Sequence, residues 1–396
     1  MHRRLTGLLK IFGPAWLVMM ADMDASSVLG AAETGALYHY ELVWFLLALI
    51  VPLYFVQEVS GRIGLASGKG LGQLIRENYG RKLALAATLP MATTDVITYV
   101  AEYLGIAIGF NIIGMPVLLV LPLIFIVHVL ILFRGNYGTA EKFLLGISFI
   151  LVASFALELA IRGITPSRVF YFSTNSNFLF ILAANAGAVV MPFMLFFQTS
   201  ATAIKYQESP GGGKSRNKSL RAIRIETFSG AVVTELLMVI VEMATSGTST
   251  DGFVSANEIA LTLAGISGPY SPYVFSIGII SAGFLALVVI SLGSAWGIVE
   301  AAGLKHKNAY WVYIFESLPA MIVGIILPAE MLLRAILFLL VIFVFVLIGP
   351  GILLGLIGRD NRVMGSLKMG TRSTLLYFSS LAFVVTFGII SLISSL

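Results

Sequence analysis

Apolar runs long enough to cross a hydrocarbon core, which takes roughly 20 helical residues, recur from one end of this 396-residue sequence to the other. In lipid every backbone N–H and C=O must find a partner inside the protein, so such runs are read as helices. Apolar segments bounded by polar or Gly/Pro turns predict eleven of them, near residues 12–37, 42–64, 84–111, 115–133, 141–161, 178–204, 222–245, 271–302, 309–327, 331–357 and 374–395. With 58% hydrophobic and only 11% charged residues, nothing remains for a separate soluble domain. The expected class is an all-α polytopic membrane protein.

Charge then orients the chain. An excess of 25 basic over 20 acidic residues would suit a nucleic-acid binder if the basic groups shared one surface, but they fall in loops. With the N-terminus inside, all of them except Arg162, Arg168 and Arg334 lie on the inner side or its flanks. That is the positive-inside bias, and it predicts a cytoplasmic N-terminus and an outside C-terminus in a plasma (inner) membrane. The opening MHRRLTGLLKIFGPAW is basic then apolar like a signal peptide, but it lacks a small-residue cleavage site and is read as retained. Zero cysteines exclude disulfides and thiolate metal sites. The Gly-rich, basic SPGGGKSRNKSLRAIR has no Walker pattern and reads as a flexible cytoplasmic linker. No hydrolytic triad, HExxH or nucleotide loop occurs, and His2, His39, His128 and His306 are scattered, so no enzyme and no cofactor is expected.

Two places break the apolar pattern at mid-membrane depth, where irregular backbone is tolerated only if it lines a cavity or is buried in protein. The first is Ala21-Asp22-Met23-Asp24-Ala25-Ser26-Ser27 in span one, and the second is Ala186-Gly187-Ala188-Val189-Val190-Met191-Pro192-Phe193 in span six. Interruptions five spans apart are what a five-plus-five inverted repeat places at its central site. The whole chain, 1–396, then forms one transport domain: repeat one over about 12–161, repeat two over about 178–357, and an extra helix over about 374–395. Into the gap point the Asp24 carboxylate, the Ser27 hydroxyl, carbonyls near Ala21 and Ala188, and the Met191 thioether. Oxygens suit hard cations, whereas a thioether favours softer transition metals. Methionine is also common packing filler.

The same residues resemble the NRAMP divalent-metal transporters over Gly13 to about Arg359. GPAWLVMMADMDASS is similar to the family's first helix, with Asp24-Ala25-Ser26-Ser27 at its DPGN signature, and AVVMPF is similar to AxxMPH in the sixth. Further segments are similar in composition and spacing: QEVSGRIGLASGKGLGQLIRENYG, AEYLGIAIGFN and GTAEKFLLGISFILVASFALEL. The resemblance implies the LeuT-like inverted-repeat fold and a metal site of Asp24, Ser27, Met191 and the carbonyls of Ala21 and Ala188. Its departures are informative. Ser27 stands where the family has a metal-binding Asn, Phe193 and Gln198 where it has histidines, Tyr99 and Glu102 where it has an Asp/Glu pair, and Tyr313 where an arginine is expected. These losses resemble the NRAMP-related magnesium transporters, which lack proton coupling, although the retained Met191 points toward softer metals. The expected function is transport of Mg²⁺ and Mn²⁺ by alternating access with weak or absent proton coupling. The alternative is a related carrier of a small organic or amine-containing solute.

Other intramembrane carboxylates are functional candidates by default: Asp22, Glu33, Asp95, Glu102, Glu158, Glu235, Glu242 and Glu316. Glu33 and Glu102 are the preferred pair for a cation-concentrating vestibule, with Tyr99, Phe193 and Gln198 along the pathway. Glu235 and Glu242, seven apart, share a helix face. The expected partners are the divalent cation and the lipid bilayer, with no nucleic acid.

Overall fold

The computed structural model describes residues 12–133, 137–164, 167–207, 213–248, 256–326 and 329–394, and every regular element among them is helical. Span one is two helices, α1 (Pro14–Asp22) and α2 (Ala25–Tyr38). Next come α3 (Val43–Ser67), α4 (Leu71–Tyr79), α5 (Arg81–Ile112), α6 (Val117–Phe133) and α7 (Tyr137–Arg162). Span six is again two helices, α8 (Ser176–Val189) and α9 (Pro192–Gln207). The rest are α10 (Gly213–Thr245), α11 (Ala256–Ser267), α12 (Ser271–Ala302), α13 (Ala309–Ile326), α14 (Ala329–Arg359), α15 (Asn361–Met364) and α16 (Thr371–Ser394).

Among the described residues nine helices are long and apolar enough to cross a membrane, taking α8 and α9 as one. The other two predicted spans fall short of that length for visible reasons. Span one is split into halves of 9 and 14 residues, and α6, at 17 residues, is a single short apolar helix. Leu118 and Leu119 on α6, at 68% and 70% exposure, and Phe315 on α13, at 74%, face outward as lipid-facing side chains do.

Three loops differ from the expectation. α4 forms within the segment between spans two and three because Leu71, Leu74 and Ile75 recur at helical spacing and bury one face. α11 forms similarly before span eight. The segment read as a flexible linker is helical from Gly213 onward, and its residues 208–212 lie outside the described residues. No proline follows Pro210 to stop that helix. Its turn at Arg224 is fixed to α3, where Arg224 Nε lies 2.8 Å and Arg62 Nη2 2.6 Å from Glu58 Oε1. The terminal residues Arg3, Arg4 and Lys10 also lie outside the described residues.

Close helix approach relies on small residues, as is general where lipid supplies no hydrophobic drive. A Cβ at Gly64 of α3 would press on Thr202 and Ala203 of α9, at 3.0 and 3.2 Å. Gly105 of α5 lies directly against Ala25, the first residue of α2. The second contact sets α5 across the break in span one.

Candidate metal site

Both breaks are narrower than the sequence suggested. The first is confined to Met23 and Asp24, with Ser26 and Ser27 already in the first turn of α2, and the second to Val190 and Met191. Asp24 is the N-cap of α2: its Oδ1 accepts the Ser27 N–H at 2.7 Å and the Ser26 hydroxyl at 2.7 Å. That satisfies one of the orphan donors a helix start always carries. Its other oxygen, Oδ2, is buried with no hydrogen-bond partner, as is the Ser27 hydroxyl oxygen.

The carbonyls expected to be free have lost their helical donors for distinct reasons. Ala21 would bond to the Ala25 N–H, but that N–H donates to Glu102 Oε2 at 2.9 Å. Ala188 would bond to residue 192, which is a proline and has no N–H. Gly187 would use the Met191 N–H, which donates to Met194 Sδ at 3.3 Å instead. Each half-helix therefore ends on carbonyls aimed onward from its C-terminus. α2 is tied to α8 by Asn185 Nδ2, which donates to Thr34 Oγ1 at 2.9 Å, and α1 packs against α9. Both halves of span one are thus in contact with the halves of span six.

Glu102 enters this site directly. It was expected in a vestibule, yet its fully buried carboxyl reaches from α5 into the break and faces that of Asp24. Glu102 Oε1 has no hydrogen-bond partner. Two facing carboxylates repel unless a proton or a cation lies between them, and among the described residues no ion pair involves either group. No three His, Cys, Asp or Glu side chains converge on one point among those residues. The donor set is instead mixed: two carboxyls, a hydroxyl and freed carbonyls, with Met191 fully buried at the second break. Met194, which sequence reasoning passed over, flanks Met191 one turn on.

The remaining candidates are dispersed. Glu33 is half-buried on α2, six residues and about 9 Å along the axis from Ser27, and does not reach the break. Phe193 is fully buried in the first turn of α9, with its carbonyl against Gly293 of α12. Gln198 Nε2 donates to Thr227 Oγ1 of α10 at 3.5 Å, turned away from the break. The Tyr99 hydroxyl donates to Ser291 Oγ at 2.7 Å, which also meets His128 Nε2 at 2.7 Å. Ser291 Oγ also lies 2.7 Å from the Leu287 carbonyl oxygen. Tyr99 therefore belongs to a polar cluster between α5, α6 and α12. Two further contacts had no sequence signal. Glu226 of α10 accepts the N–H groups of Gly13 and Trp16 at 2.5 and 2.9 Å and so caps α1, and the Trp16 indole donates to Ser148 of α7 at 3.0 Å.

Known proteins are similar to this chain in sequence and in fold. The chain is 25% identical over 328 residues to a divalent metal cation transporter, MntH, of Yersinia pestis (strain Pestoides F), covering 80% of this chain and 78% of that one. It is 27% identical over 317 residues to the MntH of Verminephrobacter eiseniae, covering 77% and 71%. Among solved structures, a manganese transporter of Eremococcus coleocola superposes with a TM-score of 0.81 at 14% identity, over 99% of this chain and 87% of that one. Mhp1, a nucleobase-cation-symport-1 family transporter, superposes with a TM-score of 0.62 at 11% identity, over 96% and 92%. These likenesses show the LeuT-like fold expected from the paired breaks. A family model described as natural resistance-associated macrophage protein-like matches residues 15–394, and the chain belongs to that family, Nramp.

Proposed function

We propose that this protein carries a divalent cation, Mg²⁺ and Mn²⁺, across the membrane by alternating access of the α1/α2 and α8/α9 core against its helical scaffold. The observation that carries this reading is the set of buried oxygens at the first break that face one another and have no partner elsewhere in the described structure: Asp24 Oδ2, Ser27 Oγ and Glu102 Oε1. Buried polar atoms without partners are rare, and three of them around a break with freed carbonyls form a ready coordination shell for a cation. An organic amine would also meet Asp24 and could donate to the freed carbonyls, and the uptake assay below separates it from a metal ion. The names of the relatives support the same class of cargo.

Coupling to protons is weak or absent in this reading. Phe193 and Gln198 cannot carry a proton, and Tyr99 and Tyr313 are phenols, whose ordinary titration lies near 10, far above working pH. In this reading the N-terminus is cytoplasmic and the C-terminus outside, which the distribution of basic residues supports.

The test is uptake of Mn²⁺ and Mg²⁺ into proteoliposomes holding metal reporters and an internal pH dye. Saturable uptake of both ions with a silent pH dye is expected. A proton flux matching the metal flux would sink the uncoupled mechanism, and no uptake of either ion would sink the cation reading in favour of an organic solute.

Two substitutions should shift selectivity in opposite directions. Ser27→Asn replaces a hydroxyl with an amide carbonyl that reaches farther, and should tighten Mn²⁺ by roughly tenfold, the equivalent of one good ligand at about 1.4 kcal/mol. Met191→Ala removes the thioether and should weaken Mn²⁺ against Mg²⁺, since a hard ion gains little from sulfur. Competition between the two ions in the uptake assay reads both, and an unchanged ratio in either variant would remove that residue from the site.

A further inference from the structure

A second buried carboxyl pair lies one turn from the site, on the side of the break that carries the N-terminus. Asp22 is the last residue of α1 and 2% exposed; Glu235, on α10, is 0% exposed. Both oxygens of Glu235 and Oδ1 of Asp22 are buried without a hydrogen-bond partner. The Asp22 carboxyl lies within electrostatic reach of Glu235 and of Asp24. No Lys, Arg or His forms an ion pair with either group among the described residues.

The surrounding backbone holds the pair in place. Thr234, adjacent to Glu235, donates its hydroxyl to the Met19 carbonyl at 2.6 Å, and Gly230 lets α10 approach the Met19 side chain. α1 ends here, so the C-terminal carbonyls of Ala21 and Asp22 point past Asp22, and a helix C-terminus is electrostatically suited to a cation. Glu242, on the same face of α10, takes no part, because its Oε1 accepts the Leu42 N–H at 3.1 Å.

We propose that Asp22, Glu235 and the Asp22 carbonyl at the C-terminus of α1 form a second, all-oxygen site for a hard divalent cation. The inference rests on the cation reading of the first site and extends it: the ion meets two coordination shells in series. Two carboxylates match the charge of a divalent ion, and oxygen donors suit a hard one. The first site, with Met191 beside it, discriminates; the second receives whatever hard or borderline ion the first passes on.

The experiment counts Mn²⁺ bound to the purified full-length protein by the electron paramagnetic resonance of the free ion. About two ions per chain are expected for the wild type. Glu235→Gln and Asp22→Asn, both near-isosteric, should each lower the count to about one, and adding Asp24→Ala should remove the remainder. A wild-type count of one that survives Glu235→Gln and disappears with Asp24→Ala would overturn the second site and leave the first standing. A count of two unchanged in both carboxyl variants would also overturn it, placing the extra ion elsewhere. No bound Mn²⁺ in the wild type would overturn both sites together. A wild-type count of one overturns the second site even if a variant fails to fold, and either carboxyl variant that folds decides a count of two.

Discussion

Asp24→Ala should abolish saturable uptake of Mn²⁺ and Mg²⁺ into proteoliposomes, and Asp24→Asn should do nearly the same while leaving the fold intact. The two variants separate the two tasks of one side chain. Asp24 Oδ1 caps α2 through Ser27 N–H and the Ser26 hydroxyl, whereas Oδ2 is free to meet the ion. Losing a cap costs about 1 kcal/mol, and asparagine caps as well as aspartate does, so Asp24→Asn should melt close to the wild type and Asp24→Ala slightly lower. Losing the charge is a larger effect. Removing one member of a buried charged contact costs roughly 2–5 kcal/mol, and about 3 kcal/mol is a hundredfold in affinity. A loss of uptake of that order in both variants, with stability separating them, is the expected pattern. Wild-type uptake by Asp24→Asn would show that Asp24 serves α2 alone.

The sequence made the membrane class and the paired breaks legible because lipid removes most alternatives: long apolar runs become helices, and polar or Pro/Gly interruptions at mid-depth need a reason. Asp24, Ser27, Ala188 and Met191 stood out for that local reason. Pro192 alone predicts the freed carbonyl of Ala188, since proline cannot donate to it. The freed carbonyl of Ala21 has a different origin. Its donor is diverted by Glu102, 77 residues away in sequence, and no local pattern reveals which face of α5 meets the break. For the same reason the sequence alone places Glu102 along a vestibule, and Asp22 and Glu235 stand out no more than the other six intramembrane acids. Helix-period patterning in a chain this apolar is weak evidence about direction, because lipid-facing and core-facing positions carry the same residue types. Short amphipathic helices such as α4 hid for the opposite reason: they are polar enough to read as loop.

Gly187→Ala and Gly146→Ala add the same methyl group to two membrane helices and should move stability in opposite directions. Gly146, on α7, is exposed, and a Cβ there meets nothing within 4 Å. Alanine is favoured over glycine within a helix by about 1 kcal/mol, so Gly146→Ala should leave the melting temperature in detergent unchanged or slightly raised. Gly187, on α8, lies against α14: a Cβ would overlap the carbonyl oxygen of Leu340, with Val344 Cγ2 at 3.1 Å behind it. Because the obstacle is backbone, no rotamer change relieves it, and α8 or α14 must move. Overpacking of this kind costs about 1–3 kcal/mol, which outweighs the helix-propensity gain. The displacement would act next to Ala188, whose carbonyl is aimed at the candidate site, so Mn²⁺ uptake by the surviving folded fraction should fall as well. Equal melting temperatures for the two variants would mean that α8 does not approach α14 through Gly187. A lower melting temperature with normal transport would mean that α14 supports α8 without setting the position of the break.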